Sequence, residues 1–272
     1  MSKIIGQDLV QKEVSKIFEV FRASNGLIRP HFILTGESGS GKSFIIKSMA
    51  KAMDFAFLEI NAAQITKEGT AGNSLSKALS PINNYKNKLT IVFCDEFDKL
   101  FISGNTNNTI ANEVTVGVQN EFLKVLESET SSVYGDYGKY VDADMTKTLF
   151  VFAGAFNNEA DINLDRLRSF GIKTEFLGRV GLVYNLKRLT LDDMYLILEQ
   201  SDLLDSYLKL FPDANRQTVI SDIKSYLKDI YDNNDLGARI INTLIHQWFI
   251  KGGKLGDDDV KPVTFQTKLS LN

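Results

Sequence analysis

The chain has 272 residues, of which 43% are hydrophobic and 24% charged, so it can bury a large core and does not have the composition of a disordered protein. Its net charge of −3 gives no overall attraction to nucleic acid, and its single cysteine, Cys94, excludes an internal disulfide and a thiolate zinc cluster. No apolar run approaches the ~20 residues of a membrane span, and the start lacks the apolar segment of a signal peptide. We therefore expect a cytoplasmic protein without a membrane partner.

The first predicted element is an amphipathic helix after Gly6, because apolar residues recur there at steps of three and four. These residues are Leu9, Val10, Val14, Ile17, Phe18 and Phe21. A short buried strand is predicted at 32–35, and residues 44–51 continue as a helix.

A glycine-rich run lies between that strand and that helix. It reads Gly36-Glu37-Ser38-Gly39-Ser40-Gly41-Lys42-Ser43 and fits the pattern G-x-x-x-x-G-K-[ST]. Glycines let backbone N–H groups converge on a phosphate, and the positive end of the helix dipole faces the same anion. Lys42 would reach the β- and γ-phosphates of ATP, and the Ser43 hydroxyl would bind Mg²⁺. The alternative is a glycine-rich turn that merely precedes a helix.

Further strands are predicted at 56–60, 89–94 and 148–153, with helical patterns between them such as 118–126. Strands that alternate with helices predict an α/β protein with a doubly wound parallel sheet covered on both faces. Helical periodicity dominates from Leu191 onward, with Pro212 as a stop, two helices around 216–231 and 238–249, and an edge strand at 263–269. We predict a nucleotide-binding domain over residues 1–189 and a small helical lid domain over 190–272.

Two consecutive carboxylates, Asp95 and Glu96, follow the strand at 89–94. Charges at the end of a buried strand are costly unless they meet a cation or a substrate. Asp95 is therefore a candidate ligand of Mg²⁺, and Glu96 a candidate base that polarises the water attacking the γ-phosphate. The alternative is a solvated strand end.

Taken in order, these segments resemble those of the AAA+ ATPases, and within them the Clp/HslU unfoldase branch. The resemblance extends over about residues 3 to 250. The arginine-finger and sensor 2 motifs, at residues 175–179 and 237–239, are the ones specific to the branch. Ile4-Ile5-Gly6-Gln7 resembles the adenine-contacting box; residues 36–43 and 95–99 resemble Walker A and Walker B; residues 150–156 resemble the strand of sensor 1; residues 175–179 resemble the arginine-finger box; and residues 237–239 resemble sensor 2.

The resemblance implies a P-loop NTPase fold that binds ATP and Mg²⁺ and assembles with itself into a ring of six subunits. Within it, Ile4 and Ile5 would contact the adenine, Arg179 would reach the ATP of the neighbouring subunit, and Arg239 would touch the ATP of its own chain. A guanidinium suits the equatorial oxygens of a transferring phosphoryl group. Taken alone, either arginine is an ordinary surface cation. Sensor 1 is assigned to Asn157, the first polar residue after its strand.

The sequence departs from the family where the family works on its substrate. Residues 69–72 read Gly-Thr-Ala-Gly where relatives have an aromatic pore loop. The small side chains of Thr70 and Ala71 offer little surface to grip a polypeptide. We find neither the Ile-Gly-Phe tripeptide that docks a peptidase nor a zinc-binding N-terminal domain. A second polar loop is expected at 103–109. Tyr134, Tyr137 and Tyr140, within 128–145, either form a substitute docking surface or anchor a hairpin.

Three functional classes follow from these patterns. The first is a ring-forming, Mg-ATP-driven remodeller of a protein or protein complex. The second is a DNA-metabolism factor such as a helicase or clamp loader, which the negative net charge and the loops poor in Lys and Arg disfavour. The third is a nucleotide-gated interaction module with little turnover, which is disfavoured because Glu96 and Arg179 are needed for chemistry rather than for binding.

Overall fold

The computed structural model describes residues 4–66, 73–85, 87–102, 109–135 and 139–256. The strands in these residues are β1 (Phe32–Thr35), β2 (Ala56–Asn61), β3 (Ile65–Thr66), β4 (Asn73–Ser74), β5 (Thr90–Asp95), β6 (Thr130–Tyr134), β7 (Tyr140–Asp144), β8 (Thr148–Gly154) and β9 (Leu182–Asn185). The helices are α1 (Asp8–Ala23), α2 (Lys42–Ala52), α3 (Leu75–Ala78), α4 (Lys99–Ile102), α5 (Thr109–Glu127), α6 (Leu164–Ser169), α7 (Thr174–Arg179), α8 (Leu191–Glu199), α9 (Asp202–Leu210), α10 (Arg216–Ile230) and α11 (Arg239–Ile250).

The chain divides into two compact units. The first, which we call the sheet unit, consists of Leu9–Glu37 and Lys42–Lys187. The second, the helical unit, consists of the described residues before Leu9, the short segment Ser38–Gly41 and the chain from Arg188 onward. The segment Ser38–Gly41 therefore belongs by its contacts to a different unit from the residues on either side of it.

The sheet unit is built on five parallel strands in the order β2-β5-β8-β1-β9. Every residue of β1 and β8 is buried, which is the pattern of strands covered on both faces. The predicted α/β fold with a parallel sheet is confirmed, and the strands predicted at 32–35, 56–60, 89–94 and 148–153 are all present to within one residue at each end. Strand β9 was not predicted, because its four residues show no period and, unlike those of β1, precede no recognisable motif.

Helix α1 buries one stripe of apolar side chains, as its sequence period predicts. The buried residues are Val10, Val14, Ile17, Phe18 and Phe21. Leu9 was predicted to join them, but it is 71% exposed. Successive helical residues are separated by about 100°, so Leu9 lies on a different face from Val10.

Four fully buried phenylalanine rings form the centre of the sheet unit. Phe97 follows β5, Phe122 lies on α5, Phe152 on β8 and Phe176 on α7. The ring of Phe97 lies 4.7 Å from that of Phe152, 5.3 Å from that of Phe176 and 5.9 Å from that of Phe122, centroid to centroid. We call these four residues the aromatic cluster. It packs α5 and α7 onto the end of β5, where the candidate acidic residues lie.

The helical unit confirms the helices predicted after Leu191, with one break that the periodicity did not show. Ser201 accepts a hydrogen bond from the backbone N–H of Leu204 and so begins α9 as a separate helix. Thr190 and Asp193 form a capping box that begins α8. The unit has its own core, which includes Met194, Leu198, Leu204, Phe211, Ile223, Leu244, Trp248 and Phe249.

The tyrosine-rich segment folds as the antiparallel hairpin β6–β7. Tyr134 and Tyr140 are direct cross-strand partners, with ring centroids 5.8 Å apart at nearly right angles. This arrangement supports the anchoring alternative for these two residues, although Tyr140 is still 53% exposed. Tyr137, the loop at 69–72 and the strand predicted at 263–269 lie outside the described residues, as do residues 103–108 of the loop expected at 103–109. Thr109 begins α5 instead of ending that loop. Of the helices that the structure describes, none has the length and apolar character needed to cross a membrane.

His31 is a buried neutral residue beside β8. Its side chain is 6% exposed, and its Nδ1 atom accepts a hydrogen bond from the backbone N–H of Phe150 at 3.0 Å. Burial, with a smaller contribution from the charge of Arg29, lowers the pKa of His31 from 6.5 to about 3. The folded protein therefore excludes a proton that the unfolded chain takes up below pH 6.5.

We expect the sheet unit to lose stability as the pH falls from about 6.5 toward 3, because the pKa of His31 is lower in the folded state than in the unfolded one. The His31 contribution has a slope of up to about 1.4 kcal/mol per pH unit. Urea unfolding between pH 7 and pH 4 measures it. His31→Asn keeps an acceptor near Nδ1 but does not titrate, so its stability should depend less steeply on pH. Identical slopes for the two proteins would contradict this account.

Candidate functional site

The glycine-rich run turns the chain from β1 into α2. Gly36, Gly39 and Gly41 have φ angles of +145°, +74° and +98°, which residues with a side chain rarely adopt. Lys42 is the first residue of α2, and its ammonium donates hydrogen bonds to the carbonyl oxygens of Gly36 at 2.6 Å and Glu37 at 2.9 Å. The lysine is therefore held over the start of the loop.

The loop fits the phosphate group that its sequence predicts. Ser40 is 4% exposed, and its hydroxyl has no hydrogen-bond partner among the described residues. A buried hydroxyl without a partner is costly, and an oxygen-rich anion in the loop would satisfy it. Within the helical unit, the conformations of Gly39 and Gly41 and the hydroxyl of Ser40 suit a phosphate group. Within the sheet unit, Lys42 supplies a cation beside Gly36. Ser43, the predicted metal ligand, is the second residue of α2.

Within the helical unit, the tip of the loop packs against the start of α11. A Cβ on Gly39 would lie 2.0 Å from the carbonyl oxygen of Leu236, so only glycine fits at this approach. Ala238 donates its backbone N–H to the carbonyl oxygen of Gly39 at 3.1 Å. Arg239, the first residue of α11, donates from Nη1 to the hydroxyl of Ser38 at 3.0 Å. The structure thus brings Arg239 to the loop.

The acidic pair lies at the end of β5. Asp95 is the last residue of the strand, and its carboxylate accepts a hydrogen bond from the backbone N–H of Glu96 at 2.9 Å. Glu96 has a φ of +54° and an exposed side chain. Strands β5, β8 and β1 are parallel neighbours, so the acidic pair and the start of the phosphate loop lie at the same edge of the sheet.

Sequence reasoning missed Asn61, which holds Glu96. Asn61 is the last residue of β2 and lies opposite Asp95 in the parallel register. Its Oδ1 atom accepts from the backbone N–H of Ala63 at 2.9 Å, which turns its Nδ2 toward Glu96, where it donates to Oε2 at 2.9 Å. An asparagine at a strand end gives no sign in the sequence of a partner 35 residues away.

Asp98 was also missed, and it joins the ends of β5 and β8. Its carboxylate is 1% exposed and accepts a hydrogen bond from the backbone N–H of Phe156 at 3.1 Å. A Cβ on Gly154 would lie 2.6 Å from Asp98 Oδ1. Asn157, the sensor 1 candidate, lies three residues beyond β8 at the same edge, with an exposed side chain and a φ of +60°.

The structure does not bring Arg179 to the phosphate loop. Arg179 ends α7, three residues before β9 begins at Leu182. Strand β9 runs parallel to β1, with Leu182 opposite Phe32, so Arg179 lies at the edge opposite the one where β1 leads into the loop. Ile4 and Ile5 belong to the helical unit, where a Cβ on the neighbouring Gly6 would lie 3.1 Å from the Leu189 side chain.

A parallel sheet with a phosphate-binding loop after β1 and an acidic pair after β5 defines a P-loop NTPase. Residues 32–176, more than half of the chain, match the family described as "ATPase family associated with various cellular activities (AAA)". The chain belongs to this family of ATPases.

Curated relatives are similar over most of this chain. "ATP-dependent Clp protease ATP-binding subunit ClpX" of Bacteroides fragilis is 24% identical over 263 positions, which cover 80% of this chain and 63% of the relative. The protein of the same name from Porphyromonas gingivalis is 26% identical over 90% of this chain and 72% of its own length. That from Treponema denticola is 30% identical over 65% of this chain and 44% of its own length. The chain thus spans less than two thirds of the first of these relatives.

We expect Asn61→Ala to lower kcat for ATP hydrolysis several-fold while leaving the Kd for ATP unchanged. The substitution removes the donor that orients the Glu96 carboxylate, and the side-chain hydrogen bonds described for Asn61 go to Glu96 and Ala63. Steady-state turnover and equilibrium ATP binding measure the two quantities. Asn61→Asp, which loses the donor but keeps the acceptor for Ala63, should behave like Asn61→Ala. Unchanged turnover in both variants would show that this hydrogen bond does not serve the reaction.

Proposed function

We propose that this chain is the motor module of a ring-forming, Mg-ATP-driven remodeller of a protein or protein complex. The observation that carries the proposal is the meeting of a phosphate loop and an acidic pair at one edge of the sheet, with the candidate arginine Arg179 at the opposite edge. The acidic pair beside the phosphate loop suits nucleotide hydrolysis. Arg179, at the opposite edge, is available to a nucleotide bound by another subunit.

Bound ATP with Mg²⁺ supplies the phosphoryl group and the divalent charge for the reaction. Residues 36–41 and Lys42 would hold the phosphates, and the Ser43 hydroxyl and the Asp95 carboxylate would hold the metal. Glu96 would accept the proton of the attacking water, and Asn61 orients its carboxylate for that task. Asn157, which follows β8 at the same edge, would act as sensor 1. Ile4 and Ile5 would contact the adenine.

Arg179 would act on the nucleotide of a neighbouring subunit. Strand β1 is four residues long, about 13 Å, and separates the edge of Arg179 from the phosphate loop of the same chain. A residue that acts only on a neighbour requires a head-to-tail interface, and a closed head-to-tail assembly is a ring. We propose a homo-oligomer of six subunits on the resemblance to the Clp/HslU branch.

Arg239 would act in its own chain. Its hydrogen bond to Ser38 joins α11 to the tip of the phosphate loop. An arginine on a separate domain lets loss of the γ-phosphate change the domain arrangement, which converts hydrolysis into movement. We propose that residues 1–189 and 190–272 are the two domains concerned.

The client is proposed to be a protein in the cytoplasm. The name of the relatives describes an ATP-binding subunit of an ATP-dependent protease. The Gly-Thr-Ala-Gly run at 69–72 and the lack of a peptidase-docking tripeptide favour a remodeller that works without a peptidase. A DNA client is the alternative, and binding of labelled DNA that weakens steeply with salt would favour it.

We expect mixed assemblies to separate the two roles. Arg179→Ala supplies a complete phosphate loop but no arginine, whereas Lys42→Ala supplies the arginine but binds ATP too weakly to turn it over efficiently. Each variant alone should turn over ATP at least about a hundredfold more slowly than the native protein. Mixing them should restore part of the activity, because Lys42→Ala subunits donate Arg179 to their neighbours. The absence of any recovery, in assemblies shown by size to contain both variants, would contradict the placement in trans.

A further inference from the structure

Helix α5 holds both ends of α7, the helix that ends in Arg179. Gln119 of α5 is 1% exposed, and its amide spans the turn before α7. The Nε2 atom donates to the carbonyl oxygen of Gly171 at 3.1 Å, and the Oε1 atom accepts from the backbone N–H of Lys173 at 3.0 Å. One buried side chain thus fixes the start of α7, since both of its polar ends are satisfied by that turn.

Glu127, the last residue of α5, holds the other end of α7 by bonding to Arg179 itself. Both Nε and Nη2 of the guanidinium lie 2.9 Å from Glu127 Oε1. The contact is thus made along the Nε side of the guanidinium. The arginine has five N–H donors. The one on Nε makes the hydrogen bond to Glu127, and Nη2 lies within ion-pair distance of the same oxygen. Both N–H donors on Nη1 lie outside this contact.

The pair has the properties of an orienting contact rather than of a stabilising one. The side chains of Arg179 and Glu127 are 57% and 48% exposed, and exposed ion pairs contribute little to folding. A carboxylate that binds one side of a guanidinium does, however, restrict the rotation of a long and flexible side chain. We therefore expect loss of this pair to change the position of the arginine and to leave the melting temperature unchanged.

We propose that Glu127 is a positioning residue for Arg179. It holds the Nε side of the guanidinium on α5, so that the Nη1 side is presented to the γ-phosphate bound by the neighbouring subunit. This inference rests on the proposed action of Arg179 in trans. Glu127 itself touches no nucleotide and acts only through the arginine.

The first test is the turnover of Glu127→Ala. We expect kcat to fall about tenfold, because an unrestrained arginine spends less time in the productive position. The Kd for ATP and the melting temperature should stay at their native values, since the phosphate loop of the same chain is untouched. Glu127→Gln, which keeps an oxygen that accepts from Nε, should lose less activity. Glu129→Ala removes a similar exposed carboxylate two residues away and serves as the control with native turnover.

The second test repeats Glu127→Ala in the Arg179→Ala protein, assayed at high enzyme concentration to measure the residual rate. A residue that acts only through Arg179 should have less than about a twofold effect once the arginine is gone. An equal loss in both backgrounds would overturn the inference, because it would indicate a role independent of Arg179. Native turnover of Glu127→Ala beside a slow Arg179→Ala would also overturn it and would leave the proposed function standing. Native turnover of Arg179→Ala would contradict both the inference about Glu127 and the proposed role of Arg179.

Discussion

The parallel register of β5, β8 and β1 is the constraint on which the candidate site depends. Because these strands are neighbours and run in one direction, their carboxyl ends place the acidic pair, the loop after β8 and the start of the phosphate loop along one edge. Strand β9 extends the same register on the far side of β1, and Asn185 at its end accepts a hydrogen bond from the Thr35 hydroxyl at 2.6 Å. The position of Arg179 at the opposite edge follows from that pairing.

The aromatic cluster connects the two edges through the core. Phe97 follows Glu96 directly in the chain and stacks on Phe176, which lies three residues before Arg179. Phe122 of α5 packs against the same ring of Phe97 and lies between Gln119 and Glu127 in the chain. A tightly packed core transmits displacement because it has little space to absorb it. The acidic pair and the arginine therefore flank one packed core within the sheet unit.

Patterns confined to a few neighbouring residues allowed much of this to be predicted from the sequence. The strand at 32–35 was predicted from an apolar run that leads into the glycine-rich motif, and α10 and α11 show their helical period locally. The glycines of the phosphate loop and the two carboxylates stand next to predicted strands. Contacts between distant residues were not predictable in this way. Asn61 and Glu96 are separated by 35 residues, and Glu127 and Arg179 by 52, so only the strand register and the helix packing bring each pair together. Strand β9 escaped prediction because its four residues show no period.

The most direct measurement of the central claim is calorimetric titration of ATP and magnesium into the native protein and into Lys42→Ala. The account predicts saturable binding to the native protein and an affinity at least about tenfold lower in the variant, because the ammonium that we propose to face the phosphate chain is gone. Equal melting temperatures of the two proteins without nucleotide would show that the difference arises in the loop. Equal affinity of the two proteins for ATP, or no binding to the native one, would contradict the assignment of residues 36–43 as the nucleotide site.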